Sequence, residues 1–199
     1  MPKLSLTDFV DVVASSGTPK ASKVKEIKNR PPYNPAFDFY KPLRDRIEET
    51  HKLAKGKQHL AGILPTLTDK KKIAAYPILI SAYTKWWGKK QLTWFAPPST
   101  VFSAHGVDVS VNPELGLMVN GKPYLIKLYF KSDKLSKRRV DPILFLMESQ
   151  LAKETLPGTT MAVLDIRRSK LFIPTVNNPS LSAILSAELA YIAALWPHL

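Results

Sequence analysis

The sequence of 199 residues contains no cysteine. Disulfide bridges, thiolate zinc sites and cysteine nucleophiles are therefore excluded. The chain has four histidines, His51, His59, His105 and His198. They form no HExxH or HxH pattern, which argues against a histidine-rich metal site. A glycine-rich phosphate loop and a G-x-S-x-G nucleophile elbow are also missing.

Long apolar runs are equally scarce. The best one, over residues 73–83, has only 11 residues and contains Pro77, whereas a membrane-spanning helix needs about 18 to 20. Asp8 and Asp11 interrupt the first apolar stretch, which argues against a secretory signal. We therefore expect a soluble, cytoplasmic protein with no membrane partner.

What the chain has in excess is positive charge. Its 29 Lys and Arg outnumber 16 Asp and Glu, which gives a formal net charge of +13 at pH 7. A hydrophobic fraction of 45% is ordinary for a folded chain of this length with one sizeable core. The charge favours an acidic partner, most commonly nucleic acid. A surface that merely keeps the chain soluble is the alternative.

The first 35 residues predict a peripheral arm. A short helix carrying Phe9 is followed by a run of lysines between residues 20 and 28, and prolines close the segment at Pro31, Pro32 and Pro35. Such an arm could lie along a phosphate backbone or serve as a solvated linker. We expect residues 1–35 to form this basic, proline-bounded arm and residues 36–199 a single α/β domain.

Periodicity predicts the elements of that domain. Apolar residues at helical spacing indicate helices over 38–56 and 69–87. Alternating residues indicate a strand over 92–95 and a β-meander over 107–131 with a turn at Asn120-Gly121. The later elements are a helix over 141–154, strands over 160–166 and 171–173, and a last helix that begins at Asn178-Pro179. The order predicts an α/β fold with a mixed central sheet flanked by helices.

One motif lies within the predicted meander. Pro113-Glu114 precedes the hairpin, and Lys127 lies on the returning strand. With the order helix, meander, helix and buried strand, residues 38–174 resemble the restriction-endonuclease-like PD-(D/E)XK phosphodiesterase superfamily. In that family a Pro-acid pair precedes a hairpin, the returning strand carries acid-x-Lys, and a leading helix often adds a Glu. The resemblance implies a three-layer core.

The resemblance also implies Mg²⁺-dependent cleavage of DNA phosphodiesters, with Glu114 and Lys127 as catalytic residues. The implied metal ligands are Asp108, Glu114, Glu48 and Glu49. Carboxylates hold Mg²⁺, which activates water and offsets charge on the leaving oxygen, and the lysine would orient or deprotonate that water. The chain departs from the family at Leu125, where an acid is expected, because leucine cannot ligate a hard cation.

That departure leaves three functional hypotheses open. They are a Mg²⁺-dependent endonuclease, a non-catalytic nucleic-acid-binding relative with a degenerate metal site, and a basic module that binds an acidic protein. The site residues also have local interpretations: Lys127 is placed to pair with Glu114 across the hairpin. Glu48 has Lys52 four residues later, and Asp108 is placed to bond locally.

Basic residues are concentrated after the returning strand and in the turn that follows the predicted strand over 160–166. The predicted nucleic-acid-binding residues are Lys131, Lys134, Lys137, Arg138, Arg139, Arg167, Arg168 and Lys170. Such charges neutralise phosphates and release counterions. Lysines also flank Trp86 and Trp87, whose rings would stack on unpaired bases if exposed. A core position for both tryptophans is the alternative.

Overall fold

The computed structural model describes residues 1–174 and 179–199. The α-helices of these residues are α1 (Leu6–Ala14), α2 (Gly17–Lys28), α3 (Lys41–Lys52), α4 (Gln58–Ala61), α5 (Lys70–Trp87), α6 (Lys137–Leu151) and α7 (Leu181–Leu195). The strands are β1 (Lys3–Ser5), β2 (Leu92–Phe95), β3 (Thr100–Ala104), β4 (Val107–Val111), β5 (Leu115–Val119), β6 (Lys122–Tyr129), β7 (Thr160–Asp165) and β8 (Lys170–Phe172).

The strands form two mixed sheets. The larger has the order β2-β5-β6-β7-β8, in which only β6 and β7 are parallel neighbours. The smaller has the order β1-β4-β3, with β1 parallel to β4. The predicted α/β class, with a mixed central sheet and flanking helices, is confirmed. No helix among the described residues combines the length and apolarity needed to cross a membrane.

Two core clusters cover the opposite faces of the larger sheet. Leu125 and Tyr129 of β6 belong to the first cluster, together with α1, α6 and α7. Ile126 and Leu128 belong to the second, together with α3 and α5. Successive residues of a strand point to opposite faces, so β6 is buried on both sides.

The two helices predicted before the sheet are confirmed as α3 and α5. Asp69 caps α5 by accepting hydrogen bonds from the backbone N–H groups of Lys71 and Lys72. Gly88 ends the helix at a φ of 53°, a conformation that glycine adopts without strain. α3 begins at Lys41 with Tyr40 as its N-cap, three residues after the predicted start at Asp38. Asp38 lies just before the helix and accepts hydrogen bonds from the backbone N–H groups of Tyr40 and Lys41.

The predicted meander over 107–131 is correct only in its second half. β5 and β6 form a hairpin, and its turn residues Asn120 and Gly121 have φ values of 48° and 81°. β4, however, pairs with β1 and β3 in the smaller sheet, while β2 occupies the position beside β5. Alternation identified β4 as a strand, but alternation does not specify the partner of a strand.

The apolar residues between Leu4 and Ala14 belong to the first core cluster, whereas the sequence predicted a peripheral arm. β1 adds a parallel edge to the smaller sheet. Ser5 and Asp8 form a capping box at the start of α1, and Phe9 is fully buried. The segment is apolar on most sides of the helix, which is the pattern of a buried helix rather than of a surface arm.

Residues 17–28 are helical as well, rather than extended. Val24 of α2 is fully buried. Lys20 forms an ion pair with Glu188 of α7, and Lys28 donates to the backbone oxygens of Trp196 and Leu199, both at 2.7 Å. Part of the predicted basic arm therefore anchors the C-terminal helix.

α6 begins one turn earlier than predicted. It starts at Lys137 rather than at Asp141, so Pro142 lies inside the helix. Val140 is buried in the first core cluster, and this packing holds the additional turn. The last helix, α7, begins at Leu181. The predicted start at Asn178 lies outside the described residues.

Candidate functional site

The structure brings Glu114 and Lys127 together. The register that pairs Leu115 with Ile126 places Glu114, just before β5, opposite Lys127, near the end of β6. Lys127 Nζ lies 2.5 Å from Glu114 Oε1, and the backbone N–H of Leu128 donates to Oε2 at 2.7 Å. The two side chains are only 4% and 10% exposed. The pairing across the hairpin, one of the two interpretations of Lys127, is observed.

Both oxygens of Glu114 are therefore occupied by protein donors. Leu125, two residues before Lys127 on the same strand face, is fully buried and opposite Gly116. A Cβ at position 116 would lie 2.4 Å from the carbonyl oxygen of Phe95, so the sheet is closed there. The position of the missing acid is an apolar part of the core.

The other predicted metal ligands lie in separate places. Glu48 on α3 is paired with Lys52 at 2.5 Å, and Glu49 with an arginine three residues earlier at 3.3 Å. Asp108 lies on β4 in the smaller sheet and accepts a hydrogen bond from Ser103 at 2.6 Å. No group of three or more His, Asp or Glu side chains within residues 1–174 and 179–199 is placed to hold a metal ion. This donor set does not fit the Mg²⁺ that the resemblance implies.

Two buried acids were missed by the sequence reasoning. Asp11 and Asp165 lie near Tyr129 on the face of the sheet that Lys127 shares. Lys131 pairs with Asp11, and Arg168 lies 3.1 Å from Asp165. Burial raises the pKa of Asp11, although Lys131 opposes that shift. The available signal was an acid inside or at the end of an apolar run.

Arg44 on α3 was also missed. Its guanidinium donates a hydrogen bond to Asp38 at 2.8 Å and interacts electrostatically with Glu114. Burial acts against the charged form of Arg44, but Asp38 and, more weakly, Glu114 raise its pKa above the usual value. α3, which was expected to place the carboxylate of Glu48 or Glu49 near Glu114, places the guanidinium of Arg44 there instead.

The structure joins the two predicted basic segments into one surface. Arg167 Nε donates to the carbonyl of Phe130 at 2.8 Å, and Arg168 donates to that of Ser132 at 2.7 Å. The turn after β7 is thereby fastened to the loop after β6. We call the joined surface the basic rim; it comprises Lys131, Lys134, Lys137, Arg138, Arg139, Arg167, Arg168 and Lys170.

Several members of the rim have structural contacts. Besides the two arginines of the turn and Lys131, Lys137 donates to the carbonyl of Ile173 at 2.6 Å. Arg139 donates to the carbonyl of Ala14, and Lys170 lies 4.7 Å from the ring centre of Phe172. These contacts tie most of the rim side chains to neighbouring parts of the protein.

Lys134 and Arg138 differ from the rest of the rim. Both side chains are exposed, and within the described part of the chain neither side chain has a hydrogen bond, ion pair or ring contact. The carboxylates in or beside the rim are Asp11, Asp133, Asp141 and Asp165. With four acids against eight cations, the rim keeps a positive excess.

The tryptophans do not offer a free stacking surface. Trp86 is buried in the second core cluster. Trp87 is partly exposed, but its ring lies against His51 at 4.6 Å, and Lys57 lies 5.7 Å from its centre. The interpretation of these rings as packing residues is the one that the contacts support.

No protein-family model, no curated protein and no solved structure matches this chain. The PD-(D/E)XK resemblance therefore stays a prediction from the motif.

Proposed function

We propose that the chain binds the phosphate backbone of nucleic acid through the basic rim and holds no metal at the positions that the motif predicts. The observation that carries this proposal is the pair of hydrogen bonds from Arg167 and Arg168 to Phe130 and Ser132. These hydrogen bonds fix the two basic segments side by side. Within the described residues, the side chains of Lys134 and Arg138 have no acidic partner. Cations on a fixed backbone lose less entropy when they bind a phosphate.

Duplex DNA is the proposed ligand. The family that the motif resembles acts on DNA phosphodiesters, and a net charge of +13 supports attraction to any polyphosphate chain. Phosphate contacts carry no sequence information, so the binding is expected to be strong at low salt and to show little sequence preference. Titration of duplex DNA, single-stranded DNA and RNA of equal length ranks the three.

The first test removes the two free cations of the rim. Lys134→Ala with Arg138→Ala is expected to weaken DNA binding about tenfold near physiological salt. The slope of log affinity against log salt is expected to fall by about two, one for each lost phosphate contact. Fluorescence anisotropy at several salt concentrations measures both quantities.

The matched control is Lys122→Ala with Lys153→Ala. Both lysines are exposed, and the double variant lowers the net charge by the same amount. Lys122 lies at the start of β6 and Lys153 beyond the end of α6, whereas the rim adjoins the opposite ends of these elements. Equal losses for the two double variants would show that overall charge, and not the rim, governs binding.

A Mg²⁺-dependent nuclease, which the resemblance implies, is the alternative, and the contact between Glu114 and Lys127 argues against it because protein donors already occupy both Glu114 oxygens. These are the acid and lysine that the resemblance assigns to catalysis. The test is incubation of plasmid DNA with Mg²⁺ or Mn²⁺, with and without EDTA. Cleavage that EDTA abolishes and that Lys127→Ala removes, in a variant with an unchanged circular dichroism spectrum, supports this candidate. If no cleavage occurs, nucleic-acid binding without catalysis is the remaining function.

A further inference from the structure

A concave site separate from the basic rim lies between β3, α6 and α7. Its volume is about 350 Å³. Phe102 of β3, Phe145 of α6, and Leu185 and Leu189 of α7 provide apolar walls. This volume is at the low end of the range for small-molecule sites, roughly 300 to 1,000 Å³. The site has room for one small ring system.

Serine and glutamine side chains and one histidine also line the site. His105 Nε2 is 2.6 Å from Ser186 Oγ, a contact that ties the β3–β4 turn to α7. Gln150 donates to Ser149 Oγ at 3.2 Å, and Ser182 also lines the site. Hydroxyl, carboxamide and imidazole groups can hydrogen-bond to the edge of a ligand.

Among the described residues, those that line the site include no Asp, Glu, Lys or Arg. This is notable in a chain that carries 45 such residues among 199. An ionised ligand would lose hydration in the site without meeting an opposite charge, which costs free energy. A neutral ligand has no such cost. Phenylalanine side chains also favour a flat ring that can pack against them.

We infer that this site binds a small neutral heterocycle of the size of one nucleobase. The apolar walls pack against its faces, while Gln150, Ser182 and the His105–Ser186 pair bond to its edge. The inference is independent of the proposed function, because the site shares no residue with the basic rim.

The test is titration of the full chain with free adenine and free uracil, followed by protein NMR. Benzoate is the anionic comparator and cyclohexanol the neutral aliphatic one. Adenine or uracil is expected to shift signals of the lining residues. Benzoate and cyclohexanol are expected to bind at least tenfold more weakly.

Two exposed helical serines provide the matched variants. Ser182→Phe adds a phenyl ring at a residue that lines the site and is expected to weaken base binding at least tenfold. Ser81→Phe places the same side chain on α5, away from the site, and is expected to change the affinity for the bases less than twofold. The Lys134→Ala, Arg138→Ala variant is expected to bind free bases normally, so failure of the rim and failure of this site are distinguishable.

The inference is overturned by any of three results. These are no binding of either base at millimolar concentration, binding that Ser182→Phe leaves unchanged, or binding of benzoate or cyclohexanol as tight as that of the bases.

Discussion

At the scale of single residues, the pair of Glu114 and Lys127 is the most consequential feature. Both side chains are almost fully buried, and each meets the charge of the other. Removing two charges from water costs several kcal/mol, which close contact and the N–H of Leu128 offset. Loss of either partner alone would leave an uncompensated charge in the core.

This pair gives a prediction for stability. Glu114→Gln or Lys127→Met alone is expected to lower the free energy of unfolding by about 3 to 5 kcal/mol. The double variant is expected to lose clearly less than the sum of the two single variants, because no charge is then left unpaired. Urea denaturation measures all three values. Additive losses would contradict the coupling.

His51 is a second residue whose burial has a measurable effect. Its ring lies against Trp87, and Nε2 is 2.7 Å from the hydroxyl of Tyr83. Burial lowers the pKa of His51 from 6.5 to about 4. The folded protein therefore holds this imidazole in its neutral form.

The direction of the resulting pH dependence follows from the lowered pKa. The unfolded chain binds a proton at His51 near pH 6.5, and the folded chain only near pH 4. The contribution of His51 to the free energy of unfolding is fully present above pH 6.5. It decreases as the pH falls toward 4, by up to about 3 kcal/mol. In His51→Gln, urea denaturation between pH 4 and 7 is expected to show a shallower decrease. An identical pH profile for the two proteins would contradict the prediction.

At the scale of elements, α1 shows the largest difference from the sequence-based expectation. Its apolar residues were assigned to an arm because the following segment is rich in lysine and proline. In the structure, α1 packs against α2 and α6, and its residues belong to the first core cluster. A nine-residue helix cannot bury its own apolar surface, so only distant partners determine its place.

The position of α1 predicts unequal effects of two identical substitutions. Phe9→Ala, in the core, is expected to lower the free energy of unfolding by about 3 to 5 kcal/mol. Phe37→Ala, at a residue that is 85% exposed, is expected to change it by less than about 0.5 kcal/mol. Urea denaturation of both variants measures the difference. A small effect of Phe9→Ala would contradict the core position of α1 and support the interpretation of this segment as a peripheral arm.

At the scale of the whole molecule, β6 and β7 link the two core clusters. Met161 and Val163 face the first cluster, while Ala162 and Leu164 face the second. Neither cluster can lose its packing without disturbing a strand that the other cluster shares. We therefore expect one cooperative unfolding transition.

The tryptophans make that expectation testable. Trp86, Trp87 and Trp94 belong to or adjoin the second cluster, and Trp196 adjoins the first. Their combined fluorescence is expected to change at the same urea concentration as the circular dichroism. Phe9→Ala, which lies in the first cluster, is expected to lower both midpoints together. Separate midpoints would indicate that the two faces of the sheet unfold independently.

The sequence by itself determined the elements that depend on neighbours in the chain. The cap of α5 at Asp69 and the turn at Asn120-Gly121 require only nearby residues, so their positions could be predicted. The alternation of β6 likewise predicted which residues share a face. It could not show that both faces are buried.

Only the tertiary structure decided which distant residues meet. It placed β4 in the smaller sheet, moved α1 into the core, and paired Lys127 with Glu114 rather than with a group of carboxylates. It also fastened the turn at Arg167 to the loop after β6. The physical reason is that burial and charge pairing depend on residues far apart in sequence, whereas spacing along the chain records only the local geometry.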